Sequence, residues 1–353
     1  MPERTTSSLK RQSAGRYRTT DERFSVEQAS GGWMVIDGEQ TNELGLALVR
    51  GPFRSLDEAR AAIEGARADP PPTSDLAARI AALPVAGIKP TQGRVSRFGH
   101  NPAFHGIVGS WTQLGPIARS VDDLALALAI IAGPDGEDPH VQPIELRDPA
   151  AVDLHELRVA FFTDNGILTP TPATISTVGS AAHVLADEGA TITEQLPPGI
   201  VELAKLWWPI VLADGHAWLR RLITGAGTPG TGWYTWLDDE PPASSAELTE
   251  MLERVDVARA AMARFMQSVD VIVSPAGPLP PFRHDDGDSE VNADSYCEAH
   301  NLSGYPSVVV PGGVADGFPI GVQVVARPWR DDLALAAAKA IERALGGWRS
   351  PPM

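Results

Sequence analysis

The most informative part of the sequence runs from residue 85 to residue 138 and reads VAGIKPTQGRVSRFGHNPAFHGIVGSWTQLGPIARSVDDLALALAIIAGPDGED. It opens with a tight glycine and proline turn at residues 87–91, continues as a long loop to Arg119, and closes with an apolar helix. Ser120 is an N-cap residue for that helix, and Asp123 stands at the capping-box position. Gly133 and Pro134 are helix-ending residues, so the helix is predicted to stop before them.

Three apolar runs late in the chain predict the centre of a sheet. They lie at residues 271–273, 308–310 and 322–325, inside the segments VDVIVSPAGPLPP, NLSGYPSVVVPGG and PIGVQVVARP. Continuous runs of β-branched residues are typical of strands that are covered on both faces. A closing helix is predicted over Asp331–Leu345.

The middle of the chain predicts an α/β unit. A strand is expected at residues 157–163, then a helix that begins at Thr171-Pro172 and ends near Gly189, then a second strand at 190–194. A Trp-rich helical region is expected over 201–223. Ser244 or Ser245 is expected to open a long helix that reaches about Val269.

These motifs, taken in order, resemble the amidase signature family, whose members are serine hydrolases that cleave amides with a Ser–cis-Ser–Lys triad. The turn GIKPT at 87–91 and the helix start GPIARSVDD at 115–123 match two of its motifs, and the late segments match others. The resemblance runs from Gly87 to about Leu345. It implies an α/β fold, in which a mixed sheet is flanked by helices, but only part of the family's domain, over residues 85–348.

The catalytic part of that family is not found in the sequence. In the family, the lysine and a Gly-Gly-Ser-Ser-type loop precede the GIKPT-like turn, and the nucleophile lies in a Gly-Ser-Asp-Thr-Gly-Gly-Ser-type loop shortly before it. A serine needs an adjacent base to become a nucleophile. The chain's four lysines are Lys10, Lys89, Lys205 and Lys339. Lys10 alone precedes the turn, and Lys89 belongs to the turn itself.

Residues 73–87 admit two interpretations. Ser74-Asp75 and Arg79-Ile80 would be the ends of a nucleophile loop whose core has been deleted, or the segment is an unrelated linker helix. Neither interpretation provides a nucleophilic serine. The sequence therefore predicts no catalytic, cofactor-binding or metal-binding residues.

Other candidate residues are explained more simply by structure than by function. The acidic run at residues 284–290 lacks the alternating ligand spacing of a calcium loop, so a solvated loop is expected. His100 and His105 are expected to be surface or structural residues. Ser96 is not at a triad position. Core packing is expected for the first three of five tryptophans that would otherwise wall a hydrophobic pocket: Trp207, Trp208, Trp218, Trp233 and Trp236.

The chain is predicted to contain four parts. Residues 1–23 carry six basic and three acidic residues and predict a disordered basic arm. Residues 24–68 predict a small α+β module with strands at 24–28, 33–36 and 46–50, the last broken by Gly51-Pro52, and a helix capped by Ser55. Residues 69–84, rich in proline, predict a linker. Residues 85–348 are the partial amidase-signature domain.

The amino-acid composition of the chain limits the classes of partner that it can bind. The formal net charge of −16 argues against nucleic-acid binding, and no run approaches the length of a membrane helix. The single cysteine, Cys297, excludes an internal disulfide and fits a reducing cytoplasm. A small amide or acid is the expected ligand. Because the missing part of the family's domain would cover the core, self-association or a partner chain is also expected.

Three hypotheses about function follow. The chain is an amidase-like protein that is catalytically incompetent alone, a non-catalytic binding or regulatory protein, or half of a split amidase that another chain completes. A reading frame just upstream that carries the lysine and the serine-rich loop would support the third.

Overall fold

The computed structural model describes residues 9–29, 32–41, 47–68, 85–100, 106–225, 241–280, 294–315 and 317–348. The chain divides into two compact units, residues 1–81 and 82–353. The predicted linker at 69–84 and residues 1–8 of the predicted arm lie outside the described residues. In the parts described, no helix is both long and apolar enough to cross a membrane.

The first unit is an antiparallel five-stranded sheet with one helix packed against it. Its strands follow one another in chain order, and the bounds are β1 Leu9–Ser13, β2 Arg16–Thr19, β3 Phe24–Ala29, β4 Gly32–Thr41, β5 Ala47–Phe53 and α1 Leu56–Ala68. Phe24, Val26 and Val35 from the sheet pack against Ala59 and Ile63 of α1. The predicted cap is present, since the Glu58 backbone N–H donates to Ser55 Oγ at 3.2 Å.

The prediction of a disordered arm is wrong for residues 9–19. They form the edge strand β1 and its neighbour β2, which pairs with β3. Leu9 and Tyr17 pack against the core, and the buried Thr19 exchanges hydrogen bonds with the backbone of Phe24. The basic residues that suggested disorder instead face outward, as in the pair between Arg16 and Glu27. Gly51 and Pro52 were expected to end a strand, but both lie inside β5.

The second unit is built on a mixed seven-stranded sheet of order β7-β6-β11-β12-β10-β8-β9. Its strands are β6 Ala86–Lys89, β7 Ile117–Ala118, β8 Arg158–Phe161, β9 Thr191–Glu194, β10 Val271–Pro275, β11 Ser307–Ala315 and β12 Phe318–Ala326. The β8–β9 and β8–β10 pairs are parallel, and the other pairs are antiparallel. The prediction of three central, buried strands is confirmed, since β11, β12 and β10 occupy the middle of the sheet.

Helices cover both faces of this sheet, which explains why its strands lack polar alternation. The helices are α2 Gly106–Gly109, α3 Val121–Ile131, α4 Pro172–Asp187, α5 Ile200–Val211, α6 Ala217–Gly225, α7 Ser245–Phe265, α8 Ser295–Ser303 and α9 Asp331–Leu345. One core lies between the sheet and α3, α4 and α9, and receives Val271 and Val273. The other lies against α5, α7 and α8, and receives Ile272.

The helix starts agree with the capping signals. Ser120 accepts from the backbone N–H of Asp123, and Thr171 accepts from that of Thr174, with Pro172 in the first turn. Ser244 and Glu247 form a complete capping box at the start of α7. Two boundaries differ from prediction. The expected region 201–223 is divided into α5 and α6, and α7 ends at Phe265 rather than near Val269.

Candidate functional site

The Gly87–Thr91 turn places Lys89 at the end of β6, beside the loop that follows α8. Lys89 Nζ donates to the backbone carbonyl oxygens of Tyr305 at 2.6 Å and Pro90 at 3.3 Å. Burial of the ammonium group lowers the pKa of Lys89 to about 8, and the negative charge of Asp331 opposes this shift. Its described partners are carbonyl oxygens and not a serine hydroxyl. In this arrangement the amine is a donor that fastens two segments together.

Thr91 and Arg94 clamp the same turn to the start of α9. The Asp331 carboxylate accepts from the Thr91 backbone N–H, from Thr91 Oγ1 and from Arg94 Nε, each at 2.8 Å. The side chains of Arg94 and Asp331 are 1% and 0% exposed. A buried charge needs both a counter-ion and hydrogen bonds, and Asp331 has both. The contacts of Thr91 and Arg94 with Asp331 therefore hold the turn against the start of α9.

Arg97 and Asp138 close the long loop of the opening stretch. Asp138 accepts from Arg97 Nε at 2.9 Å and from the Arg97 backbone N–H at 3.0 Å. Hydrogen bonding to the Arg97 guanidinium holds the pKa of Asp138 far below its ordinary value, although burial opposes the shift. The loop is thus fixed by an ion pair between residues 41 positions apart.

A layer of buried polar side chains lies between α8 and the central strands. Gln323 Nε2 of β12 donates to the Tyr296 carbonyl oxygen at 3.1 Å and to Ser274 Oγ at 3.3 Å. Glu298 and His300 belong to the same helix and are 5% and 1% exposed. The sequence analysis identified none of the side chains of Ser274, Glu298, His300 and Gln323 as candidates. The only available signal was that Glu298 and His300 come directly before the NLSGYP turn.

Glu298 and His300 carry unsatisfied polar atoms. Among the described residues, Glu298 Oε1 and both ring nitrogens of His300 have no hydrogen-bond partner. Burial, reinforced by the negative charge of Asp294, raises the pKa of Glu298 to about 7, while a hydrogen bond with Trp208 opposes the shift. Burial and the nearby charge of Lys89 lower the pKa of His300 to about 3. Glu298 is therefore a buried carboxyl that exchanges a proton near neutral pH.

The other nucleophile and base candidates lie apart from this layer or are inert. Ser96 Oγ accepts from the Phe98 backbone N–H at 3.1 Å, as in a local turn. Cys297 Sγ donates to the Ala276 carbonyl oxygen, and burial raises the pKa of its thiol to about 12. Lys205 is exposed on α5, and Lys339 of α9 pairs with Asp122.

The tryptophan prediction is only partly correct. Trp207 packs against the core beneath α5, but Trp208 is 48% exposed because its neighbour takes the inward position on the helix. Trp218 is partly buried, and His100 lies in an exposed turn. Several candidates lie outside the described residues, namely Ser74, His105, the acidic run at 284–290, Trp233 and Trp236.

One pocket in the described part of the chain lies away from the Lys89 turn. It has a volume of about 430 Å³ and lies between the loop at 147–157 and the start of α9. Two of its lining arginines are neutralised within the protein, since Arg327 pairs with Asp270 and Arg330 with Asp332. In the described part of the chain, no group of three or more His, Cys, Asp or Glu side chains is placed to hold a metal ion.

Comparison with known proteins agrees with the motif pattern. A sequence model of the Amidase family matches residues 81–335. A glutamyl-tRNA(Gln) amidotransferase subunit of Roseiflexus castenholzii is 28% identical over 290 residues, which cover 73% of this chain and 58% of the relative. The chain therefore spans less than two thirds of the length of that relative.

Solved structures show the same architecture. The 6-aminohexanoate cyclic dimer hydrolase bound to its substrate superposes with a TM-score of 0.63 at 24% identity, covering 74% of this chain and 60% of the hydrolase. A protein from a vestigial complex related to the origin of an s-triazine catabolic enzyme gives a TM-score of 0.60 at 27% identity, covering 77% of this chain and 61% of its own. Since the family model matches well over half of its residues, the chain belongs to the amidase family.

Proposed function

We propose that this amidase-family chain does not hydrolyse amides with its own residues alone. The observation that carries the proposal is the position of Lys89. It is the only lysine at the family's turn, and its Nζ is held by two backbone carbonyls. Lys205 and Lys339 lie on helices α5 and α9, and the chain has no Gly-Gly-Ser-Ser or Gly-Gly-Ser stretch.

The physical reason is that amide cleavage needs several groups at once. A serine must have a neutral base within hydrogen-bond reach, and the oxyanion needs backbone N–H donors that are already in position. A protein that only binds the substrate accelerates the reaction far less than a complete triad does. Because Lys89 Nζ donates to two backbone carbonyls and not to a serine hydroxyl, neither acylation nor reaction with a serine-directed probe is expected.

A fluorophosphonate probe tests this proposal directly. The purified chain is treated with the probe and analysed by mass spectrometry, with an active serine amidase as the positive control. We expect no stoichiometric adduct and no hydrolysis of simple aryl or alkyl amides. An adduct on one serine that disappears when that serine is replaced by alanine would refute the proposal. Ser74→Ala and Ser96→Ala are the first variants to prepare, because both residues flank the turn.

A second candidate function is one half of a split amidase. It is favoured by the chain's coverage of only 58% of its Roseiflexus relative, which is itself one component of an amidotransferase. In this proposal another polypeptide supplies the lysine and both serines. Co-expression with the product of a neighbouring reading frame that encodes those motifs should restore amide hydrolysis and probe labelling, with the label on the added chain. Absence of labelling in the purified complex would exclude this candidate.

A third candidate is non-catalytic binding of a small amide or carboxylic acid in the cytoplasm, as expected of a regulatory protein. The unsatisfied atoms of Glu298 and His300 favour it, since buried polar atoms without partners commonly bind water or a ligand. Calorimetric titration with small amides and acids tests it. Binding that Glu298→Gln weakens would support this candidate, whereas the absence of heat with both ligand classes would not.

A further inference from the structure

Helix α3 is apolar on its outer face as well as on its inner face. Its sequence is VDDLALALAII, and Val121, Leu124 and Leu128 are buried in the first core of the larger unit. On the opposite side, Leu126 is 65% exposed and Ile130 is 75% exposed. These two residues are four positions apart, so their side chains are neighbours on one stripe. A helix that is apolar all round normally lies in a protein interior.

We define the α3 face as Leu126, Ile130 and Ile131. It lies on an element that packs beside the edge strand β7, whose Ile117 is 76% exposed. Among the described strands, β7 pairs with β6 and has no partner on its other side. An apolar stripe beside an open sheet edge is the arrangement that proteins normally cover with another element.

The two ends of α3 differ in charge. At the start of the helix, Asp122 pairs with Lys339, and Asp123 accepts a hydrogen bond from Ser120 Oγ. At its end, the last turn contains no basic residue, although carbonyl groups there carry partial negative charge. The exposed Asp135 and Glu137 follow directly. A hydrogen bond with Ser96 lowers the pKa of Asp135, so that carboxylate stays ionised.

We propose that the α3 face binds a polypeptide segment of another protein, whose apolar side chains cover Leu126, Ile130 and Ile131 and whose lysines or arginines lie over residues 131–137. The negative charge of the chain favours this basic partner over a second copy of the chain. A second copy brings a net charge of −16 to an end of the helix that is already acidic. The inference goes beyond the proposed function, because it holds whether or not the partner brings catalytic groups.

Designed peptides provide the probe. A fluorescein-labelled amphipathic helical peptide with a leucine stripe and a lysine-rich end is titrated with the full chain, and binding is followed by fluorescence anisotropy. The matched peptide carries glutamates in place of the lysines. We expect the basic peptide to bind at least about tenfold more tightly than the acidic one, a difference of about 1.4 kcal/mol. We also expect its affinity to fall as salt is added.

Three variants locate the site. Leu126→Ser combined with Ile130→Ser should weaken binding of the basic peptide by at least about tenfold, because the two aliphatic side chains that the peptide would cover are lost. Asp135→Asn combined with Glu137→Gln should reduce both the affinity and its salt dependence. Val257→Ser is the control, since Val257 is 70% exposed on α7, outside the α3 face. Circular dichroism confirms that each variant is folded.

The outcomes separate the possible occupants. A chain that is monomeric and binds the basic peptide through the α3 face supports the proposal. A dimer that becomes monomeric in the Leu126→Ser, Ile130→Ser variant would overturn it in favour of a second copy. Equal binding of the two peptides, binding that Val257→Ser weakens as much, or no binding up to the solubility limit would show that the face does not dock such a segment.

Discussion

The Arg94–Asp331 pair shows how a family motif is used in this chain. The two side chains are almost fully buried, and they join residues that are 237 positions apart. The same carboxylate also accepts two hydrogen bonds from Thr91. Removing the charge on one side leaves an arginine buried without its counter-ion, which is much more costly than losing an exposed pair.

Asp331→Asn should therefore lower the free energy of unfolding by about 3–5 kcal/mol. The matched control is Glu202→Gln, which removes the carboxylate of the exposed pair between Glu202 and Arg254 and should cost under about 1 kcal/mol. Urea unfolding followed by tryptophan fluorescence measures both. A similar, small effect of the two substitutions would contradict the clamp assigned to Asp331.

Glu298 makes the free energy of unfolding of the larger unit depend on pH. Because its pKa in the folded protein is about 7, above the ordinary value of 4.5, the folded state binds more protons between these two values. The free energy of unfolding must then fall as the pH rises from about 4.5 to about 7. The full loss from this group, up to about 3 kcal/mol, is present above pH 7.

Comparing the wild type with Glu298→Gln isolates the contribution of Glu298 to the pH dependence of the free energy of unfolding. His300 acts in the opposite direction, since its pKa is lowered to about 3, and its effect cancels in the difference between the two proteins. Relative to the wild type, the variant should gain stability between pH 5 and pH 8, as measured by urea unfolding at several pH values. A difference that does not change with pH would show that Glu298 titrates normally.

At the scale of single elements, α7 tests whether a local signal sets a helix boundary. Ser244 Oγ accepts from the Glu247 backbone N–H at 3.2 Å, and Glu247 Oε2 accepts from the Ser244 backbone N–H at 2.8 Å. Ser244→Ala should lower the free energy of unfolding by about 1 kcal/mol. Ser245→Ala, one position inside the helix, should change it by less than about 0.5 kcal/mol. Equal effects would mean that the box does not stabilise the helix.

At the scale of the whole molecule, the boundary between the two units provides a further test. The chain divides after residue 81, within the Pro-rich segment 69–84 that the sequence predicts to be a linker. Exposed polar segments between folded units are preferred cleavage sites. Limited proteolysis should cut first within residues 69–84 and leave a stable fragment that begins near residue 82, as identified by mass spectrometry. A first cut within residues 87–138 would place the boundary elsewhere.

Features that depend on neighbouring residues could be predicted from the amino-acid sequence. Unbroken runs of β-branched residues identified the three central strands, and the side chains of Ser120, Thr171 and Ser244 marked helix starts, because caps and turns act over three or four positions. The order of such signals also indicated the family. The prediction of disorder was wrong for residues 9–19 for the same reason. Their local composition is polar, yet Thr19 and Tyr17 find partners in β3.

Features that join residues distant in the chain could not be predicted in this way, because they form only in the folded protein. Folding brings Lys89 to the Tyr305 carbonyl and Arg94 to Asp331, and it buries Glu298 and His300. Each of these depends on desolvation by elements far away in the chain, so no local pattern encodes it. The exposure of Leu126 and Ile130 was decided in the same way. Both side chains are apolar, but they stay in solvent because no described element of the chain packs over them.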